Sequence, residues 1–272
     1  MNERDYEQAE GIRRSDLWVM HESPEKFHWH MMNRGMEEPT PAMIFGSAVH
    51  KFLLEPHDFD NEYAILPEGI DRRYKAGKEA YVAFATDHPG RTILSREDWE
   101  RLMGMAEAIS YNPLAENMIV GQHEVPIFWT DPMTGEQCKC KADVVRKVDG
   151  KYAVVDYKTT NDASTERFNS EIFRHGYHVQ AAMYTEGLQI SLGLDYRPSF
   201  YFVAQEKKAP YSLNVIEVTE DVLGYGDSVY HELLQKYHDC KELDVWPGYC
   251  SDVANECWLP GWIGNDFEEE DT

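Results

Sequence analysis

Residues 137–159 read QCKCKADVVRKVDGKYAVVDYKT. Asp149-Gly150 between two apolar-rich runs is a two-residue hairpin signal, because that turn needs positive φ at its centre. With Asp149-Gly150 as the loop, Val148 faces Lys151, and stepping back from that pair sets Asp143 directly opposite Asp156. Directly opposed side chains on one face lie roughly 4.5–5.5 Å apart at Cβ, and like charges so placed destabilise a sheet unless something positive intervenes. A divalent cation or a neighbouring lysine meets that need. Lys158 shares the face of Asp156 and Lys141 that of Asp143, because strand side chains alternate with period two. Hard cations such as Mg²⁺ prefer carboxylate oxygens, and a lysine beside one orients or deprotonates water and stabilises charge on phosphate. Asp…Asp-x-Lys on paired strands therefore points to metal-assisted phosphodiester hydrolysis. A salt-bridged surface hairpin is the plainer alternative. Against it, Ala153-Val154-Val155 is a buried-strand run, and charges at the end of such a strand call for a function.

Working outward, Glu124 to Trp129 and Gln137 to Val148 are strand-like on either side of a turn at Asp131-Pro132-Met133-Thr134-Gly135. Lys151 to Thr159 is the third strand. An amphipathic helix is expected from about Glu171 to Leu192, then strands at Ser199–Gln205 and Ser212–Val218, then a helix capped by Thr219 and running toward His238. The residues before them read as helical: Ser15 as an N-cap ahead of Leu17 and Trp18, Ser23-Pro24 as a second start, and Thr40-Pro41 opening Ala42–Leu54. A helical pattern from about Arg72 to Ala108 breaks near Asp87-His88-Pro89-Gly90. This order specifies an α/β fold with a central mixed sheet flanked by helices. With no repeat or linker, residues 1–264 are expected to form one domain: a helical part to 115, a core over 116–240, and a C-terminal segment. Residues 265–272 are expected to be an acidic flexible tail.

The chain has 272 residues, with 26 Lys and Arg against 49 Asp and Glu, a net charge of −23. Such a chain repels nucleic acid on average unless its basic residues are gathered. Its 42% hydrophobic content excludes wholesale disorder. No run approaches a membrane span, and the first residues lack a signal peptide's apolar stretch, so a cytoplasmic location is expected. Cys138, Cys140, Cys240, Cys250 and Cys257 are odd in number and read as thiols rather than as a disulfide framework or an iron–sulfur site.

Four pieces in order carry a family resemblance: Gly46-Ser47-Ala48-Val49-His50, Lys141-Ala142-Asp143, Val154-Val155-Asp156-Tyr157-Lys158-Thr159, and Gln180-Ala181-Ala182-Met183-Tyr184. They resemble the helical Gly-x-x-x-His motif, the metal-binding aspartate, the (D/E)xK strand and the Gln-x-x-x-Tyr helix of the PD-(D/E)xK nucleases, in their RecB-type and phage recombination branch. Ser15-Asp16-Leu17, Ser23-Pro24 and the run Arg72 to Lys78 are similar to RecE-type (exonuclease VIII-like) members. The resemblance implies a restriction-endonuclease-like core and Mg²⁺-dependent, 5′-to-3′ degradation of linear duplex DNA, with Mn²⁺ as a substitute metal. It also implies 3′ single-stranded tails for a RecT-type annealing partner, and a ring-shaped homo-oligomer, a tetramer being favoured, in a bacterial host cell if the gene is phage-borne. Transferred residue by residue, His50, Asp143, Asp156 and the Tyr157 carbonyl would hold metal. Lys158, Asp156, Asp143 and Gln180 would be catalytic, and Tyr184 would line the site. Asp156 stands where many relatives carry Glu.

Basic residues gather at Arg13-Arg14 beside Ser15, at Arg72, Arg73, Lys75 and Lys78, and along the hairpin at Lys139, Lys141, Arg146, Lys147, Lys151 and Lys158. Their convergence would line a positive DNA channel in an acidic exterior. Two other readings compete: a Cas4- or RecB-like single-strand nuclease, disfavoured because no cysteine precedes Cys138, and a non-catalytic acidic DNA mimic, disfavoured by the Asp143, Asp156, Lys158 and Gln180 set.

Overall fold

The computed structural model describes residues 3–36, 38–250 and 253–258. In chain order the helices are α1 (Glu3–Gln8), α2 (Arg14–Glu22), α3 (Pro24–Met32), α4 (Pro41–Leu54), α5 (Pro56–Glu62), α6 (Lys75–Asp87), α7 (Arg96–Ser110), α8 (Pro113–Met118), α9 (Thr165–Arg174), α10 (Tyr177–Leu192) and α11 (Glu220–Leu243). The strands are β1 (Tyr63–Ile65), β2 (Thr92–Leu94), β3 (Gln122–Thr130), β4 (Gln137–Val148), β5 (Lys151–Thr160), β6 (Ser199–Glu206) and β7 (Leu213–Glu217). The acidic tail expected at 265–272 lies outside the described residues.

The main sheet has the order β3-β4-β5-β6-β7. Neighbours are antiparallel except β5 and β6, which run parallel, so α9 and α10 form the crossover between them. The hairpin register is the one the Asp-Gly turn dictates, from Val148↔Lys151 to Val144↔Val155. Asp149 and Gly150 both have positive φ, 50° and 82°. β1 and β2 form a separate parallel pair that the helical reading of that region missed.

Both faces of the sheet are covered. Val154, Phe200, Phe202 and Ala204 pack with Leu17, Met20, Phe168, Val179, Met183 and Leu234 of the helices on one side. Ala153, Val155, Tyr157 and Val203 pack with Phe45, Val49, Leu102 and Met105 on the other. Alternate β5 residues thus feed opposite cores, which explains the unbroken apolar run. Alternation slips in β4 at Asp143. Cys138, Cys140 and Ala142 face the α10 side. Val144 packs on the α4 side, where strict alternation would not put it, and Val145 returns to the α10 side.

Several local expectations change. The helix read over 171–192 is two helices, divided at Gly176, whose φ is +67° and whose missing Cβ would meet the Trp18 ring at 2.5 Å. α10 is buried nearly all round rather than amphipathic, from His178 to Met183 without interruption. Ser15 is not an N-cap: Arg13 holds that position, and its N–H bonds Asp16 Oδ2 at 2.8 Å. Thr219 sits at the N-cap of α11 but makes no side-chain cap bond. Cys138 and Cys140 are buried thiols, and burial pushes Cys138 up to about 12. Among the described residues no helix is long and apolar enough to cross a membrane.

Candidate active site

β4 and β5 are paired as far as Val144↔Val155, and the next residues on each strand are the two aspartates. Past that point Asp143 replaces the main-chain ladder, its Oδ2 accepting the Tyr157 N–H at 2.8 Å. On its other side β3 is distorted too. His123↔Val144 and Val125↔Ala142 are paired, and Glu124, between them, has φ 49°. A non-glycine residue in that region costs free energy and persists where the surroundings impose it, often at a functional site. The distortion brings the Glu124 carboxylate beside Asp143.

α4 supplies the third group. Its N-terminus is set by Thr40, whose hydroxyl accepts the Met43 N–H, with Pro41 at N1. Phe45, Ala48 and Val49 bury the helix against the sheet. His50, one step round the helix from Val49, faces the cleft, with Nδ1 3.5 Å from Asp143 Oδ2. Its ring stands edge-on to that of Tyr157, with centroids 5.3 Å apart. One donor atom each from His50, Glu124 and Asp143 lie within 4.8 Å of one another.

Asp156 is shared differently from the expected paired-aspartate arrangement. It is 1% exposed and turns toward α10, where Gln180 Nε2 donates to its Oδ1. Its Oδ2 lies 2.5 Å from Lys158 Nζ and accepts no well-directed hydrogen bond. Gln180 Oε1 in turn accepts from Arg14 at 3.3 Å, and Arg14 also bonds the His175 carbonyl at 3.1 Å. The two aspartates therefore part company: Asp143 joins the α4 and β3 ligands, and Asp156 fixes Lys158.

The cleft that Asp143 opens onto has a volume of about 930 Å³ and is lined by His50, Glu124, Lys141, Asp143, Tyr157, Lys158 and Tyr177, among others, with Asp156 buried behind it. Lys141 reaches Glu124 at 2.8 Å. Lys158 lies over the Tyr177 ring at 4.9 Å. Burial, then the Asp156 charge, pushes the Asp143 carboxyl well above its ordinary value. Burial, then Lys158, pulls His50 down, which keeps its imidazole neutral. Burial would lower Lys158, but Asp156 and Asp143 outweigh it, and the amine is held as ammonium. These groups suit a divalent ion. A neutral imidazole and two carboxylates are its usual oxygen and nitrogen donors, and a cation would relieve the crowding that forces Asp143 toward protonation.

Not every expected residue converges here. Arg72, Arg73 and Lys78 line a separate surface pocket with Asp71, Tyr81 and Val82, and Arg73 bonds Asp71 at 2.5 Å. Lys75 pairs with Glu79, so this cluster shares no lining residue with the cleft. Ser15 is exposed on α2, beside Arg14. Gln180 and Tyr184 do not line the cleft: Gln180 lies behind Asp156, and Tyr184 packs on Phe200. Lys139 is no surface cation, being fully buried and donating to the carbonyls of Tyr6 and Ala9 at 2.8 and 2.7 Å. Glu124 was missed. Counting across the turn at Asp131 would have set it opposite Asp143, the same like-charge signal that marked Asp156.

The family described as "PDDEXK-like domain of unknown function (DUF3799)" matches residues 14–257. No curated protein matches the chain. A crystal structure described as a "putative exonuclease" from Eubacterium rectale shares the fold. It superposes with a TM-score of 0.62 at 15% identity, covering 96% of each chain. A structure described as SSO0001 aligns over 70% of this chain and 85% of its own, at 13% identity and a TM-score of 0.33, too low to carry weight.

Proposed function

We propose, from the premise that the chain belongs to the PDDEXK-like family DUF3799, that this nuclease is a Mg²⁺-dependent exonuclease acting on linear double-stranded DNA. The observation that carries the reading is the juxtaposition of His50, Glu124 and Asp143 with an ammonium that Asp156 holds in the same cleft. His50, Glu124 and Asp143 would hold the cation, with Asp156 and the Tyr157 carbonyl adjacent. When bound, such an ion supplies Lewis-acid polarisation of the phosphate and lowers the pKa of its water.

The protein's own groups do the rest. Lys158 carries its charge into the cleft, where it stabilises negative charge growing on the phosphoryl oxygens. Asp156 and Gln180 aim it, and Gln180 links that pair to Arg14 at the start of α2. Lys51, Lys141 and Lys207 line the cleft with Lys158, Arg14 lies behind it through Gln180, and Arg72, Arg73, Lys75 and Lys78 contact DNA farther away. The family resemblance supports 5′-to-3′ polarity, 3′ tails passed to a RecT-type annealing protein, and a ring-shaped oligomer, tetrameric by preference.

Digestion of end-labelled linear duplex beside covalently closed circles, with Mg²⁺ or EDTA, tests this for wild type and Lys158→Ala. Loss of linear DNA alone, requiring both Mg²⁺ and Lys158, is expected, with Mn²⁺ replacing Mg²⁺ and label release giving 5′ polarity. Cutting of circles would move the activity to an endonuclease. No cleavage by folded protein would overturn the proposal in favour of an acidic DNA mimic.

A further inference from the structure

A second cluster of metal-type ligands lies where the β3–β4 turn meets α10 and α11. Asp131, Glu186 and His231 each place one donor atom within 4.8 Å of the others. Asp131 is 1% exposed. Its Oδ2 is spent on the turn, accepting the N–H groups of Met133 and Thr134 and the Thr134 hydroxyl. Its Oδ1 is buried with no hydrogen-bond partner, and so is Glu186 Oε1. Glu186 Oε2 lies 3.0 Å from His231 Nε2. Among the described residues no lysine or arginine pairs with either carboxylate; the nearby Arg197 is taken by Asp227 and Thr185.

Two buried carboxylate oxygens without donors are costly unless a cation meets them. The His231 ring nitrogen with two carboxylate oxygens is a donor set that zinc takes. A cavity of about 240 Å³, lined by Asp131, Thr134, His231 and Gln235 among others, adjoins the group and leaves room for a solvent ligand. Zinc bonds of about 2.0–2.1 Å need these donors drawn slightly together, which rotation of the half-buried Glu186 and His231 allows. We infer that Asp131, Glu186 and His231 form a second divalent-metal site, of zinc type, that ties the β3–β4 turn to α10 and α11. Its role is structural: none of these three residues is among those that line the nuclease cleft.

Zinc binding measured by calorimetry, with metal content of the dialysed protein, tests the assignment. The background variant is His50→Ala, Asp143→Asn, Cys250→Ser and Cys257→Ser, which disables the cleft and removes the exposed thiols. One equivalent of zinc is expected to bind this protein, raising its Tm. Adding His231→Ala or the milder Glu186→Gln is expected to weaken zinc binding about tenfold or more. In the otherwise wild-type chain, His231→Ala should leave Mg²⁺-dependent DNA cleavage unchanged. Absence of a zinc equivalent from the folded background variant would overturn the inference, and so would equal affinity with and without Glu186→Gln. Either result would make the cluster a His231–Glu186 ion pair.

Discussion

Tyr157 gives its backbone N–H to the Asp143 carboxylate at 2.8 Å, so a main-chain atom of one central strand holds the side chain of the other. The residue that aims Asp143 thus sits between Asp156 and Lys158. Moving either strand would disturb both halves of the site together. Asp143→Asn keeps the shape and removes the charge. Cleavage should fall by about 10²–10³-fold or more, with circular dichroism unchanged. Single-turnover digestion of linear duplex measures it, and wild-type rates in the variant would remove Asp143 from the mechanism.

Glu124 is the ligand candidate that sequence reading passed over. Glu124→Gln should raise the Mg²⁺ concentration for half-maximal activity by about 10–100-fold, while much of the rate returns at saturating metal. A Mg²⁺ titration at fixed DNA separates this from a structural role, which would lower the maximal rate at every metal concentration.

Gln180 acts through Asp156 rather than on substrate. Gln180→Leu leaves the buried Asp156 Oδ1 without its donor, which should cost about 1–3 kcal/mol in chemical denaturation. The same change should lower the maximal rate while leaving the Mg²⁺ requirement near wild type. A large shift in that requirement would instead place Gln180 at the metal.

Glu136 couples β4 to α11, accepting from His238 at 2.9 Å and Lys241 at 2.7 Å. Burial would raise its carboxyl, but those two partners outweigh it and hold it below the usual range. A carboxylate depressed in the folded state adds stability in full above its unfolded pKa of about 4.3 and loses it as pH falls through the lower folded value. Glu136→Gln should therefore cost about 1–2 kcal/mol at pH 7, the lower part of the range because Lys241 is half exposed. The gap from wild type should close below about pH 4. Urea melts at the two pH values check it.

At Gly226 the two longest helices of the α10 face meet backbone to backbone. A Cβ there would lie 2.3 Å from the His178 carbonyl oxygen. Gly226→Ala should destabilise by about 1–3 kcal/mol despite alanine's better helix propensity, because backbone cannot move aside as a side chain does. A Tm at or above wild type would show that α11 shifts freely on α10.

What the sequence determined by itself was local or followed from strand periodicity. Asp149-Gly150 set the hairpin register from Val148↔Lys151 to Val144↔Val155, because a two-residue turn leaves no freedom in pairing, but the pairing ends there and the two aspartates beyond it turn to different partners. The ordered motifs from Gly46 to Tyr184 and the alternation of helices and strands sufficed for the α/β class. The tertiary structure decided everything that depended on which side of the sheet a helix packs. It brought His50 of α4 and the distorted Glu124 to Asp143, gave Asp156 to Gln180, buried Lys139, and kept the Arg72–Lys78 cluster out of the cleft. A histidine on an apolar helix and an arginine on a loop look the same in sequence wherever the chain carries them. Their partners are set by packing over long separations, where burial and charge pairing are settled only when the core closes.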